Sequence, residues 1–337
     1  MTRGRRPFFT METIHDLNHF VPPSQGSAVT IGNFDGVHLA HQALLRRTAQ
    51  RARELGSVAA AVTFEPHPIQ VLAPDRAPRI LTSLPTRAQR IEQLGIDLLI
   101  VLPFTRELAH LSPLDFVERI LIARLRANFL CVGPNFRFGY RQAGDVSLLN
   151  RLSREGKFCL EILPILEVRG QAVSSTRIRQ LLSEGRVHMV GRLLGRPFSN
   201  SGLIVSGRGI GRRHAVPTLN LNPNETQWPM VGVYVTRTRL GDEWRNSVTN
   251  VGYSPTFGNH RLTIETHLLN FEGDVQETEM EIEYLHRLRD EIKFQNPAML
   301  RLQIQEDVRR SLKFFRLLEY FRQPEGRRSR RHTPTQA

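Results

Sequence analysis

The sequence predicts an α/β chain of two folded regions: an N-terminal doubly wound parallel sheet, then a small antiparallel β-barrel with a C-terminal helix. Three observations predict it. The length, 337 residues, fits about two compact units at roughly 150 residues each. Residues 28–185 alternate short β-rich runs with longer amphipathic ones, the rhythm of strand–helix–strand crossovers. Past Gly195-Arg196-Pro197 the rhythm changes to short alternating strands divided by Gly, Pro and Asn turns.

In chain order, the first region reads as a strand over 28–31 leading into a helix through Gln50, then strands over 58–64, 97–104, 129–132 and 160–166. Amphipathic stretches over 113–126 and 145–155 supply further helices. Ligands of such sheets bind at the carboxyl ends of the strands. The second region reads as strands over 203–207, 232–240, 244–251, 262–269 and 279–284, with an amphipathic helix over 297–320 packed against them. The expected division is an extension over 1–24, domains over 25–185 and 186–320, and a disordered basic tail over 321–337.

Composition excludes several classes. With 40% hydrophobic and 23% charged residues the chain is an ordinary globular one rather than a disordered one. Its apolar runs, such as 98–102, fall far short of the ~20 residues of a membrane span, and no apolar run follows the basic start, so the cytoplasm is expected. Cys131 and Cys159 lie in apolar runs and are expected as reduced core residues. The net charge of +14 raises nucleic acid as a partner, but three N-terminal arginines and the 322–337 tail supply half of it. No lysine stands in a Walker-type loop, so any phosphate chemistry uses other devices.

Gly32-Asn33-Phe34-Asp35-Gly36-Val37-His38-Leu39-Ala40-His41 joins the first strand to its helix. His38 and His41, three apart, share one face at a helix N-terminus, where free N–H groups attract phosphate. The bland alternative is that Asp35 caps the helix and the histidines merely pack. Ser174-Ser175-Thr176-Arg177-Ile178-Arg179 opens a later helix with hydroxyls and guanidinium groups, either a phosphate grip or a plain cap. In the second region Gly207-Arg208-Gly209-Ile210-Gly211-Arg212 is a phosphate loop or a hairpin turn. Thr218 and Asn220, two apart on an extended run, offer hard oxygens that suit Mg²⁺. Glu265, in Glu265-Thr266-His267, is a candidate general base or a surface carboxylate.

These segments, with Thr63-Phe64-Glu65-Pro66-His67-Pro68 and Gly133-Pro134-Asn135-Phe136-Arg137-Phe138-Gly139, resemble in order the motifs of the bacterial bifunctional riboflavin kinase/FAD synthetases. The resemblance runs to about residue 320. It implies a nucleotidylyltransferase domain that turns FMN and ATP into FAD and pyrophosphate, and a kinase barrel that turns riboflavin and ATP into FMN. His38 and His41 would then stabilise the ATP phosphates, with Gly32, Asn33, Phe34, Asp35 and Gly36 shaping the pocket and Ser174, Ser175, Thr176 and Arg177 closing over it. Gly207, Gly209, Gly211 and Arg212 would contact ATP in the barrel, Thr218 and Asn220 would hold Mg²⁺, and Glu265 would activate the riboflavin 5′-hydroxyl. Asn135, Arg289 and Asp290 would contact flavin.

Departures are specific. Ala40 stands where the family has glycine, P-T-A-N is Pro217-Thr218-Leu219-Asn220, and L-D-F is Leu269-Asn270-Phe271. An aromatic-Gly pair is replaced by Gln276-Glu277. Two other readings compete: a kinase alone with the Ala40 site weakened, and a basic flavin- or nucleic-acid-binding protein. The enzyme reading expects small-molecule substrates, no membrane, no specific nucleic acid, and allows an oligomer.

Overall fold

A computed structural model describes residues 10–205, 218–256, 259–273, 275–292, 294 and 296–322. Among the described residues, those up to Ile178 together with Leu193–Gly195 form one compact unit, and Arg179–Arg192 with those from Arg196 on form a second. The chain thus passes between units more than once around the expected boundary.

The first unit is built on a parallel sheet of β1 (Glu12–Ile14), β2 (Ser27–Ile31), β3 (Val58–Glu65), β4 (Leu98–Pro103), β5 (Ala127–Val132) and β6 (Cys159–Ile162), in the order β1-β4-β3-β2-β5-β6. Its helices are α1 (Leu39–Leu55), α2 (Pro68–Leu72), α3 (Leu84–Glu92), α4 (Arg106–Ala109), α5 (Pro113–Phe116), α6 (Val146–Arg154) and α7 (Ser175–Ser183), the last reaching into the second unit.

Strand side chains alternate between faces, and each face has its own core. Val29, Ile31, Val62, Ile100 and Leu130 pack with Phe116, Leu121, Leu149 and Leu152. Ala28, Ala61, Leu99, Val101 and Phe129 pack with Leu45, Ala49 and Ile91 from α1 and α3. Apolar residues at both parities are what a strand covered on two sides requires.

Four expectations change. Glu12–Ile14, within the expected extension, is an edge strand paired with Leu98–Ile100. The expected helix 113–126 is one α-turn followed by a π-wound stretch, Val117–Ile122. The strand expected over 160–166 ends at Ile162, and a separate hairpin, β7 (Glu167–Val168) and β8 (Gln171–Ala172), follows. Cys131 is buried, its thiol pushed up to about 12 chiefly by burial, but Cys159 is exposed at the start of an edge strand.

The second unit starts with the C-terminal part of α7 and with α8 (Val187–Leu194) as far as Arg192, and closes a six-stranded barrel. Its strands are β9 (Phe198–Val205), β10 (Leu219–Leu221), β11 (Gly232–Leu240), β12 (Glu243–Thr256), β13 (Asn259–Leu268) and β14 (Glu279–Arg289), ordered β10-β13-β12-β11-β14-β9. All its pairs are antiparallel. Inside, Thr238, Ser247, Thr236, Thr249 and Thr266 are fully buried and join their hydroxyls into one chain at 2.8–3.0 Å. Outside, α9 (Pro297–Arg322) lays Phe315 with Leu312 and Val308 on Val233, Val235 and Val248.

Candidate active sites

In the first unit the chain leaves β2 toward β3 and β4 on one side, while β5 and β6 lie on the other. The crevice at this switch point is where open α/β sheets bind ligands. Gly32–Val37 leaves the carboxyl end of β2, and the turn containing Asn135, closed by Phe136 N–H donating to Gly133 O at 3.2 Å, leaves that of β5. Asn135 is exposed there.

The loop after β2 is tightly wound. Phe34, Gly36 and Val37 have φ of +48°, +82° and +41°. At Gly36 a side chain would also meet Leu81, its Cβ 2.9 Å from Cδ1. Asp35 does not cap α1. Its buried carboxylate accepts from the N–H groups of Leu81 at 2.8 Å and Thr82 at 3.1 Å, and the Thr82 hydroxyl accepts from Gly36 N–H at 3.1 Å. The cap is His38, whose Nδ1 accepts from His41 N–H at 3.3 Å. That bond leaves the proton of the neutral ring on Nε2.

The two imidazoles stack at 3.6 Å between centroids and 16° between planes, and Phe34 meets His41 edge-on at 5.3 Å. Burial, then the neighbouring His38 and Arg87, hold His41 well below its ordinary range, so it is neutral at pH 7. A stacked imidazole pair at a helix N-terminus offers an anion ring N–H groups, free helix N–H groups and the macrodipole together.

Ser175, far along the chain, reaches this loop and donates to Asp35 O at 2.9 Å. Ser174 caps α7, accepting from Arg177 N–H at 3.2 Å. Arg177 places its guanidinium on Gln171 Oε1 at 3.0 and 3.1 Å, and Thr176 is exposed on the first turn. Gly32 and Asn33 are half-buried beside the loop, and a Cβ on Gly32 would lie 3.2 Å from the Phe34 ring.

Sequence reasoning missed Arg87 and the Leu81–Thr82 segment. Arg87 is buried on α3, donating to Asn33 O and to Glu65 Oε2, both at 2.7 Å. The signal was its position: with Leu84 and Ile91 it falls at helical spacing on the inward stripe, where an apolar side chain is expected.

In the second unit the ladder brings one row together. Asn220 of β10 is the partner of Glu265 of β13, which is the partner of Asn250 of β12. Opposed residues project to the same face. Thr218, two before Asn220, lies just ahead of β10. A Cβ on Gly252 would collide with the Glu291 carboxylate, so the glycine leaves room for that group beside the row. Burial and Glu291 raise the Glu265 carboxyl above its ordinary range, the direction a general base needs. Asn250 and Glu291 join the row through register and loop packing rather than sequence nearness.

Arg289 is held by Asp307 of α9 with both oxygens, Nε at 3.0 Å and Nη2 at 2.7 Å, and Gln303 also donates to Asp307. Asp290 is exposed and accepts from Arg287 at 2.5 Å. Gly207, Gly209, Gly211 and Arg212 lie outside the described residues.

Family models match both regions: FAD synthetase over residues 21–177 and riboflavin kinase over 194–315. A Pseudomonas fluorescens protein named bifunctional riboflavin kinase/FMN adenylyltransferase is 35% identical over 299 residues, 88% of this chain and 96% of its own. An Escherichia coli K12 protein of the same name is 33% identical over 305 residues, 90% of this chain and 97% of its own. A solved Streptococcus pneumoniae structure, described as a macrolide-efflux protein, matches with a TM-score of 0.79 at 26% identity, covering 88% of this chain and 97% of that one. Among the described residues no helix is long and apolar enough to cross a membrane.

Proposed function

The chain belongs to the bifunctional riboflavin kinase/FMN adenylyltransferase family, and from that premise we propose how its residues divide two ATP-dependent transfers. It is an enzyme that phosphorylates riboflavin to FMN and adenylylates FMN to FAD. The observation that carries the reading is the presence on one chain of both family regions, each with its own polar constellation.

At the barrel, Glu265 takes the proton of the riboflavin 5′-hydroxyl. The freed oxygen bonds to the γ-phosphorus of ATP while the bond to the β,γ-bridging oxygen breaks, giving FMN and ADP. Both sides of the transfer are anionic, so positioning and charge neutralisation supply most of the catalysis. The hydroxyl of Thr218 and the amide oxygen of Asn220, next to Glu265 in the ladder, are hard donors that fit Mg²⁺. Bound there with ATP, the ion would neutralise phosphate charge. Asp290 contacts flavin from the β14 end, and Arg289 fixes that segment to α9 through Asp307.

At the carboxyl ends of the parallel strands, an FMN phosphate oxygen attacks the α-phosphorus of ATP and pyrophosphate leaves. His38 and His41 hold the polyphosphate and stabilise charge on the leaving side, while Ser174, Ser175, Thr176 and Arg177 close over it. Arg177 would exchange Gln171 for phosphate. Asn135 contacts FMN. The working place is the cytoplasm, with riboflavin, FMN and ATP as substrates.

The test is direct: purified chain with riboflavin, ATP and Mg²⁺, the flavins separated by chromatography. FMN followed by FAD supports the reading. Neither product, or retention of nucleic acid in their place, overturns it, and FMN alone leaves a kinase.

A further inference from the structure

Arg87 is a buried charge, 3% exposed, in the wall of the first site. Nη1 donates to the carbonyl of Asn33, which also receives the Thr63 hydroxyl at 3.3 Å, and Nη2 donates to Glu65. Nε is buried and has no hydrogen-bond partner among the described residues. The ion pair is a weak reason for burying the guanidinium, because Glu65 is 43% exposed and its charge is screened by water.

The surroundings suggest a stronger reason. Leu81, Thr82 and Arg87 together take hold of the loop after β2 at three points: the Asp35 carboxylate, the Gly36 N–H and the Asn33 carbonyl. The Arg87 charge also acts on His41, lowering it. A triphosphate arriving at the N-terminus of α1 brings several negative charges into a poorly solvated place, where a preorganised cation acts strongly.

We propose that Arg87 is a positioning residue for adenylyl transfer: it fixes the loop of Gly32–Val37 through the Asn33 carbonyl and sets a buried positive charge behind that loop. The inference rests on reading the first site as the adenylyl-transfer centre. Arg87 touches no reacting atom; it acts through the loop and through His41. The charged or titratable groups that act on His41 are His38 and Arg87, while Asp35 turns its carboxylate to Leu81 and Thr82 and Glu65 pairs with Arg87.

The experiment uses the full chain and the variants Arg87→Met, Arg87→Lys and Glu65→Gln. FAD formation from FMN, ATP and Mg²⁺ is followed against pH, and FMN formation from riboflavin in the same preparations serves as the control. Arg87→Met is expected to lower kcat for FAD on the order of a hundredfold, the scale of a displaced positioning group, with FMN formation unchanged. Arg87→Lys keeps the cation and recovers a large part of the loss. The acid limb of the FAD rate moves up in pH in Arg87→Met, where His41 protonates more easily. It stays in place in Glu65→Gln, because water already screens the Glu65 charge.

An acid limb that follows the charge at position 87 and returns with lysine is not produced by loosened packing. Wild-type FAD formation in Arg87→Met, or an acid limb that Arg87→Lys does not bring back, overturns the proposal. If Arg87→Met loses the melting transition of the first unit, the rate and acid limb of Arg87→Lys decide. A wild-type chain that makes FMN but no FAD refutes the adenylyl-transfer reading itself, a result distinct from failure of the Arg87 role.

Discussion

Asn220 and Glu265 stand directly opposite each other across the β10/β13 ladder, and on its other side Glu265 opposes Asn250. The row puts a carboxylate between two amides on one barrel face. Glu265→Gln keeps the shape and removes the base. FMN formation should fall on the order of 10²–10⁴-fold, while FAD formation from supplied FMN persists. Near-normal kinase turnover in this variant would return Glu265 to the status of a surface carboxylate.

The pair of Arg289 and Asp307 ties the end of β14 to α9, both side chains largely buried. Removing one member strands the other. Asp307→Ala should therefore destabilise the barrel unit by about 3 kcal/mol, the lower end for a broken buried pair, and raise the KM for riboflavin more than that for ATP, because the Arg289–Glu291 segment loses its anchor. Urea unfolding and kinase kinetics check both. An unchanged midpoint would mean that the apolar contacts of Phe315 and its neighbours hold the helix alone.

His188 and His286 give the second unit a defined acid sensitivity. Burial lowers both, His188 lowers His286 further, and Arg192, Arg186 and Arg310 act in the same direction. His286 also stacks on Phe314 of α9 at 5.6 Å. A histidine whose folded value lies below its unfolded 6.5 binds fewer protons when folded, so stability is complete above about pH 6.5 and declines as pH falls below it. His286→Phe keeps an aromatic ring against Phe314 and removes one titrating group. Its melting temperature should fall less steeply with acid than that of the natural chain; equal slopes would place the acid response elsewhere.

The legible and illegible parts of the molecule separate on physical grounds. Periodicity exposed the parallel sheet because its strands are apolar at both parities, and the barrel strand Gly232–Leu240 because turn residues bracket it. β10 has three residues, too few to show a period, and β1 is a short exposed edge. The hydroxyl chain through Thr236 and Thr249 puts polar residues on the inward face, which alternation alone assigns to solvent.

At the candidate sites, His38, His41 and Glu265 stand out in the sequence because they sit in short motifs. A helix cap stays open as the bland alternative for Asp35 in the sequence because its partners, Leu81 and Thr82, are over forty positions away. Glu291 and Asp307 act through tertiary packing, and no local spacing reveals that.

Ala40 is the residue where the first site departs from the motif it resembles. It is the second residue of α1, between the His38 cap and His41, where phosphate would meet the helix N-terminus. The geometry around it is intact: His38 caps, the imidazoles stack, and Ser175 reaches the Asp35 carbonyl. FAD synthesis is therefore expected in the natural chain. Ala40→Gly gives up helix propensity of up to ~1 kcal/mol but opens the backbone to the nucleotide. If the methyl costs ~1.4 kcal/mol of crowding, glycine tightens ATP at this site about tenfold and leaves FMN formation alone. FAD formation measured against ATP concentration for both chains decides it. A natural chain that makes no FAD and a glycine variant that does would show that one methyl has silenced the first site and left a kinase.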